Sequence, residues 1–282
     1  MPDGTNDTEQ LTMAQVHPIP TLPAVHAQAL GLLSDPATSI PQIGNVVETD
    51  PALTVSVLRA ANSAASAPVS PIATPAEAII RIGLNTTRKI ITAAVVSESF
   101  NKLDYAGIDT AELWRHLFTT ALIADASAWG AEQRSTAFTA GLLHLIGRMA
   151  MAQSDPQRYA QVAALARTGR STLECEADTF GYDSQSWGVE VARAWDVPDE
   201  IVEAIGGFAE GSMGPLAWVT WNGRRIAAAL EIGDGVQAAQ QMDVYGELTE
   251  EDERLLGGLG GASELLEQAE WMLGTVSVAR AA

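Results

Sequence analysis

Apolar residues recur along most of the chain at the three- and four-residue spacing of amphipathic helices. This spacing predicts a helix over residues 24–33, and Ser39 is placed to cap a second helix. A third helix is predicted to open at Asp50-Pro51, because aspartate is favoured as the N-cap and proline at the first helical position. No strand–turn–helix unit or glycine-rich phosphate loop is found, so the pattern predicts an all-α fold.

The same periodicity continues through the second half of the chain. It predicts a helix from Asp109 to about Trp129 that carries His116, and another from about Ser135 that carries His144. Residues 137–149 are the most apolar stretch near the middle of the chain. We therefore expect His144 to lie within a central, buried helix.

Composition limits the class of protein. The 282 residues are 47% hydrophobic and 18% charged, which is enough for a sizeable core. No apolar run approaches the roughly 20 residues of a membrane span, and the first 15 residues lack the features of a signal peptide. A single cysteine, Cys175, excludes an internal disulfide framework and a cysteine-rich zinc site. These features predict a cytoplasmic protein.

The formal net charge of −19 argues against two classes of partner, nucleic acid and anionic membranes. Lysine occurs only at Lys89 and Lys102, and Arg224-Arg225 is the only adjacent pair of arginines. This pair could contact an anion, but a solvated helix face is the favoured interpretation.

His144 could be a metal ligand, a general base or a hydrogen-bonded core residue. The next position is Leu145, where a carboxylate would have supplied an oxygen ligand beside the imidazole nitrogen. One donor without a charged neighbour makes a poor metal site, since affinity needs three or four converging donors. The residues alone therefore favour a structural role for His144.

Short motifs follow one another in a specific order over residues 19–235. They are Leu22-Pro23, Asp50-Pro51-Ala52-Leu53, Leu58-Arg59-Ala60-Ala61-Asn62-Ser63, Ala78-Ile79-Ile80-Arg81-Ile82-Gly83, Arg88, Trp114-Arg115-His116, Ala140-Gly141-Leu142-Leu143-His144, Ile146-Gly147, Glu176, Phe180-Gly181, Gly188 and Trp195-Asp196-Val197-Pro198 with Ile201 and Ile205. The series resembles the HDOD family, the HD-related output domain of bacterial signalling proteins.

The resemblance implies an N-terminal helical bundle (19–105) packed on a bundle related to HD-type phosphohydrolases (106–235). Outside this HDOD region, residues 1–18 are expected to form a flexible arm because they are polar and have little to bury. Residues 236–282 are expected to form an acidic helical tail, appended to the domain.

The resemblance also implies where metal ligands would fall. In HD relatives one helix supplies a histidine, the next a His-Asp pair, and later helices supply histidines or an aspartate. His116 and His144 match two of these ligands, but Leu145 replaces the aspartate and Ser184 the histidine after the Phe-Gly turn. The later histidine pair falls near Gly207 and Phe208.

Two donors are too few for a binuclear site, so we expect no metal, no other cofactor and no catalytic residues. His116 and His144 are instead expected to hydrogen-bond to each other, to Thr or Asp side chains, or to backbone. We define the vestigial cleft as the residues that the resemblance places around the lost site: His116, His144, Leu145, Asp183, Ser184 and Trp187. Within it, the simpler interpretation is that Asp183 is a helix N-cap and that Trp187 is a core aromatic residue.

The expected function is a non-catalytic bacterial signal-transduction domain that binds a signalling protein or a small signal. One alternative is a divergent metal-dependent phosphohydrolase with other donors, such as Asp125 or Asp183. Another is a module that senses cyclic dinucleotides through Arg224 and Arg225.

A homodimer is an alternative left open, because tryptophans are enriched at protein contacts and several lie in the last third of the chain. The candidates are Trp218, Trp221 and Trp271. Tryptophans are equally common in hydrophobic cores.

Overall fold

The computed structural model describes residues 19–34, 38–63, 66, 68, 70–100, 103–207 and 213–277. All regular structure in these ranges is helical, with fifteen α-helices and two short 3₁₀ segments, which confirms the predicted all-α class. The expected arm over residues 1–18 lies outside the described residues, as does Phe208.

The N-terminal bundle contains five helices, which alternate with short connections. They are α1 (Ala24–Ser34), α2 (Ile40–Glu48), α3 (Pro51–Asn62), α4 (Pro75–Ile82) and α5 (Leu84–Ser99).

Ten helices follow. They are α6 (Thr110–Ser127), α7 (Ala131–Leu143), α8 (Ile146–Ser154), α9 (Pro156–Ala166), α10 (Thr172–Phe180), α11 (Ser184–Ala194), α12 (Asp199–Gly206), α13 (Pro215–Ala229), α14 (Glu250–Gly258) and α15 (Ala262–Ser277). None of the helices in the described ranges combines the length and apolar character needed to cross a membrane.

Local sequence accounts for most helix starts. The Asp50 carboxylate accepts hydrogen bonds from the backbone N–H groups of Ala52 (2.8 Å) and Leu53 (3.1 Å), which satisfies donors that the first turn of α3 leaves free. Asp109 caps α6 in the same way, through Glu112 N at 2.9 Å. The N-cap of α5 is Gly83, with φ 81°, so no side chain caps this helix.

One hydrophobic core joins the N-terminal helices to the second bundle. Helix α6 lies at its centre and contacts α7, α13 and α15. It is buried on almost all sides from Leu113 to Ala124, His116 included. The polar His116 side chain therefore lies in the interior of the molecule.

The C-terminal helix α15 is part of this core. Leu265, Ala269 and Met272 are buried in the same hydrophobic cluster, and α15 packs against α5 and α6. Glu270 also forms an ion pair with Arg115 of α6 at 2.5 Å. Helix α15, within the expected tail, is thus packed against the preceding helices, which differs from an appendage.

Candidate functional site

The two histidines singled out from the sequence lie side by side in the interior. Their ring centroids are 5.4 Å apart, with His116 on α6 and His144 at the end of α7. The expectation that His144 lies inside a continuous helix is wrong, because α7 ends at Leu143 and α8 begins at Ile146. His144 and Leu145 form the turn between the two helices.

Glycines at three helix contacts allow the elements around this histidine pair to approach closely. A Cβ on Gly141 would lie 2.6 Å from Ala121 Cα on α6, and one on Gly223 would lie 2.6 Å from the Thr120 carbonyl oxygen. A Cβ on Gly147 would lie 2.5 Å from Gly188 N on α11. Real Cβ atoms do not approach backbone this closely, so these glycines let α7, α13 and α8 pack directly on their neighbours.

Hydrogen bonds define the protonation of His144. Its Nδ1 lies 2.7 Å from the Gly141 carbonyl oxygen, and since a carbonyl only accepts, Nδ1 carries the proton. Among the described residues, His144 Nε2 and both ring nitrogens of His116 have no hydrogen-bond partner. The Ile232 backbone lies near the His116 ring and raises its pKa, but the contact does not meet strict hydrogen-bond geometry.

Both imidazoles are held neutral. Burial lowers the pKa of His116 to about 4, with the Arg224 and Arg148 guanidinium groups adding to the effect and Asp234 opposing it. Burial also lowers the pKa of His144 well below its usual value, and neighbouring His116 and Arg224 lower it further. Neither ring is therefore a cation at neutral pH.

A buried ion-pair cluster lies beside the histidines. Arg148 on α8 places Nη1 2.7 Å from Asp234 Oδ2 and Nε 3.9 Å from Glu176 Oε1, and all three side chains are almost completely buried. Glu176 also accepts hydrogen bonds from the Tyr159 hydroxyl at 2.6 Å and from Ser184 N at 2.8 Å. The cluster thus ties α8 to α9, to α10, to the start of α11 and to the segment after α13.

The pKa shifts of this cluster follow from burial opposed by charge pairing. Burial alone would raise the pKa of Asp234, but Arg148 and the Gln237 N–H hold it below its usual range. Burial raises the pKa of Glu176, an effect that Arg148 partly offsets. The pKa of Arg148 lies above its usual value because Asp234, Tyr159 and Glu176 outweigh the effect of burial. Arg148 therefore stays charged.

A cleft of about 310 Å³ opens next to His144. Apart from His144 and Leu145, most of its lining side chains are polar: Arg148, Ser171, Thr172, Ser184, Gln185, Arg224, Gln237, Gln241 and Asp243, with Leu173 as a further apolar one. Three members of the vestigial cleft thus line it directly (His144, Leu145 and Ser184), and His116 lies behind His144.

The remaining two members of the vestigial cleft have structural positions. Asp183 is the N-cap of α11 and accepts a hydrogen bond from Ser186 N at 2.7 Å. Trp187 is fully buried and packs against the Tyr182 ring, with centroids 5.5 Å apart. Neither residue lines the cleft.

The two adjacent arginines diverge in position. Arg224 lines the cleft and pairs with Asp243 at 2.9 Å, whereas Arg225 pairs with Asp252 at 2.5 Å. Their side chains are only 12% and 15% exposed, so the expectation of a solvated helix face is wrong.

The tryptophans considered for self-association also differ in environment. Trp221 packs against a small buried cluster and Trp271 against the main core. Trp218 is 39% exposed and stacks on Trp129, which is 69% exposed.

Sequence reasoning missed Arg148 and Asp234 as site residues. Arg148 carried a usable signal, because it lies in the most apolar stretch of the chain and four residues after His144. A charge in such a stretch requires a buried partner. Nothing in the sequence identified Asp234 as that partner.

The neutral histidines predict a loss of stability in weak acid. An unfolded histidine titrates near pH 6.5, so unfolding takes up a proton below that pH while folded His116 stays neutral down to its own pKa of about 4. The stabilising effect is complete above the unfolded pKa and is lost as the pH falls. His116 alone is expected to lower the free energy of unfolding by about 2 kcal/mol between about pH 7.5 and pH 4.5. Urea unfolding across this range measures the effect.

The matched comparison is His116→Asn. Burial raises the pKa of Glu98, Glu112 and Glu176, and these carboxyls favour the folded state as the pH falls, which partly masks the histidine effect. Subtracting the profile of the variant from that of the wild type removes their contribution. Identical profiles for the two proteins would show that folded His116 is not held neutral.

Comparisons with known proteins agree with this architecture. The sequence model of the HDOD domain matches residues 19–207. An HDOD domain protein of unknown function from Geobacter sulfurreducens has a TM-score of 0.69 and 20% identity, over 91% of this chain and 93% of that one. A proposed phosphohydrolase from Shewanella amazonensis SB2B has a TM-score of 0.65 and 25% identity, over 91% and 92%.

A proposed signal transduction protein from Marinobacter aquaeolei VT8 has a TM-score of 0.67 and 22% identity, over 93% of this chain and 58% of that one. No curated protein matches the chain. Because the domain match spans more than half of the sequence and the helical architecture agrees with it, the chain belongs to the HDOD family.

Proposed function

We propose that this HDOD protein is a non-catalytic regulatory domain of bacterial signal transduction, which binds a small signal or a protein partner through the cleft beside His144. The observation that carries the proposal is the buried Arg148–Asp234 ion pair next to the two histidines. A fixed guanidinium cation, close enough to lower the pKa of both imidazoles, disfavours a dication at the same place.

The donor atoms around the pair support the absence of an HD-type metal centre. Among the described residues, His116 and His144 belong to no cluster of three or more converging His, Cys, Asp or Glu ligands. One Asp234 oxygen accepts from Val236 N and Gln237 N, and the other faces Arg148. Leu145 and Ser184 stand where the resemblance places further ligands. These residues therefore do not fit the metal that HD-type hydrolysis requires.

The lining of the cleft supports binding of a small polar molecule. Its volume is at the lower end of ligand sites, and hydroxyl and amide side chains of Thr172, Gln185 and Gln237 line it. Each of them donates one hydrogen bond within the protein, and their oxygens keep capacity to accept from a ligand. The guanidinium groups of Arg148 and Arg224 already have acidic partners, which leaves little uncompensated positive charge for a phosphate. A neutral or zwitterionic ligand therefore suits the cleft better than a cyclic dinucleotide.

Filling the cleft is expected to abolish small-ligand binding. Gln241 is exposed at the cleft, so Gln241→Trp would block the space with little effect on the core. Its matched control is Gln240→Trp, an exposed neighbour outside the cleft lining. After incubation with a bacterial metabolite extract, native mass spectrometry should show a small-molecule adduct on the wild type and on the control but not on Gln241→Trp. An adduct of equal abundance on all three proteins would remove the cleft from the proposal.

The phosphohydrolase alternative is tested on the same purified proteins. We expect no turnover of phosphomonoester, phosphodiester or cyclic dinucleotide substrates with added Mn²⁺, Fe²⁺ or Zn²⁺. We also expect any metal content to be the same in the wild type and in a His116→Asn/His144→Asn variant. Hydrolysis that the double variant loses together with bound metal would establish the enzyme instead.

A further inference from the structure

Histidine and carboxylate side chains also converge at a second place, in the N-terminal bundle. His26 lies in the first turn of α1, Asp50 caps α3, and Glu98 lies in the last turn of α5. His26 is only 3% exposed, whereas the carboxylate side chains of Asp50 and Glu98 are 14% and 23% exposed. The three side chains thus come from separate helices and meet at a point that solvent can reach from the carboxylate side.

Their geometry is that of a ligand set. His26 Nε2 lies 3.1 Å from Asp50 Oδ2 and 3.3 Å from Glu98 Oε2, and the three atoms all lie within 4.8 Å of one another. Ligands held about 2.0–2.2 Å from a first-row divalent metal lie roughly 3–3.6 Å apart in tetrahedral or octahedral arrangements. Small movements of the Asp50 and Glu98 side chains would therefore complete the coordination.

Hydrogen bonds within the protein do not satisfy this cluster. A single proton on His26 Nε2 faces two carboxylates, while His26 Nδ1 and Glu98 Oε1 are buried without a hydrogen-bond partner among the described residues. With a neutral imidazole, two carboxylates repel each other at close range. A bound dication removes this repulsion and can be coordinated by Nε2, with the imidazole proton then on Nδ1.

The Asp50 carboxylate is also fixed for such a role. Its Oδ1 accepts from the backbone N–H groups of Ala52 at 2.8 Å and Leu53 at 3.1 Å, so the helix cap orients Oδ2 toward His26. Backbone hydrogen bonds of this kind orient ligands in metal sites and limit their loss of entropy on binding. The motif Asp50-Pro51 therefore supplies both a helix start and an oriented oxygen donor.

We propose that His26, Asp50 and Glu98 form a binding site for a divalent first-row transition metal such as Zn²⁺. One nitrogen and two oxygen donors suit this class of ion, and water would fill the remaining positions on the exposed side. The metal would link α1, α3 and α5, and would stabilise the N-terminal bundle by binding the folded state. This site is separate from the His116–His144 pair and does not depend on the proposed function.

Zinc titration of the chelator-treated full chain tests the site. We expect isothermal titration calorimetry to give one Zn²⁺ per chain, and saturating Zn²⁺ to raise Tm. Glu98→Gln keeps the shape of the side chain but removes its charge, and should weaken Zn²⁺ binding by at least about 10-fold, the effect of losing even an outer-shell partner. His26→Ala should abolish binding, with circular dichroism checking that both variants fold.

The other histidines provide matched controls. His17→Ala and His116→Asn/His144→Asn should bind Zn²⁺ as the wild type does. Stoichiometric binding that only Glu98→Gln and His26→Ala weaken supports the site. The proposal is overturned if the wild type binds no Zn²⁺, or if Glu98→Gln binds it unchanged. Loss of Zn²⁺ only in the His116→Asn/His144→Asn variant would overturn this proposal and the proposed absence of an HD-type metal centre together.

Discussion

Replacing Arg148 with methionine is expected to lower the free energy of unfolding by about 3–5 kcal/mol, the cost of leaving a buried charge without its partner. Methionine keeps much of the side-chain volume but removes the guanidinium that faces Asp234 at 2.7 Å and Glu176 at 3.9 Å. Both carboxylates would then lie in the interior without a cation, and Asp234 would have to ionise at a higher pKa. Urea unfolding at neutral pH, followed by circular dichroism, measures the loss.

Two comparisons identify the cause of that loss. Arg193→Met removes an exposed ion pair with Glu190, so its effect should stay within about 0.5 kcal/mol. Adding Asp234→Asn to Arg148→Met removes one of the orphaned charges and should recover part of the stability. A loss below about 1 kcal/mol for Arg148→Met would mean that the ion pair is not buried as the structure places it.

Local sequence was sufficient to predict the helical class and many helix starts. The caps at Asp50, Asp109 and Thr249 depend on residues within three positions of the cap, so the sequence carries the whole signal. The family resemblance placed His116 and His144 at the same site, and the two rings are adjacent in the interior although they lie on different helices.

The break at His144 and Leu145 could not be predicted in this way. Neither residue is a glycine or a proline, and the apolar spacing continues without interruption into α8. The turn is stabilised by the bond from His144 Nδ1 to the Gly141 carbonyl, one of the acceptors that a helix end leaves without a partner. It is also stabilised by the contact of α8 with α11, which no local pattern records.

The ion-pair cluster was not predicted, for a related reason. Arg148 and Asp234 are 86 positions apart, and a buried charge indicates that a partner exists without indicating which one. The same limit applies to His26, Asp50 and Glu98, since each is explained locally by its own helix and only the packing of α1, α3 and α5 brings them together. Sequence patterns therefore predicted the elements well, and the charge pairing between elements poorly.

The second large effect is expected at Gly147, where α8 and α11 meet. In Gly147→Ala the new Cβ would lie 2.5 Å from Gly188 N and 2.8 Å from Gly188 Cα, and closer still to the Ser184 carbonyl oxygen. These are backbone atoms, which cannot rotate away, so the helices must separate and the free energy of unfolding should fall by at least about 3 kcal/mol, the upper end for overpacking. Gly31→Ala is the matched control, because Gly31 is an exposed position of α1 with no atom within 4 Å of its Cβ. Alanine there should stabilise the helix by about 0.5–1 kcal/mol. Urea unfolding of both variants gives the comparison, and a Gly147→Ala protein as stable as the wild type would exclude the close contact of α8 with α11 on which the shape of the cleft depends.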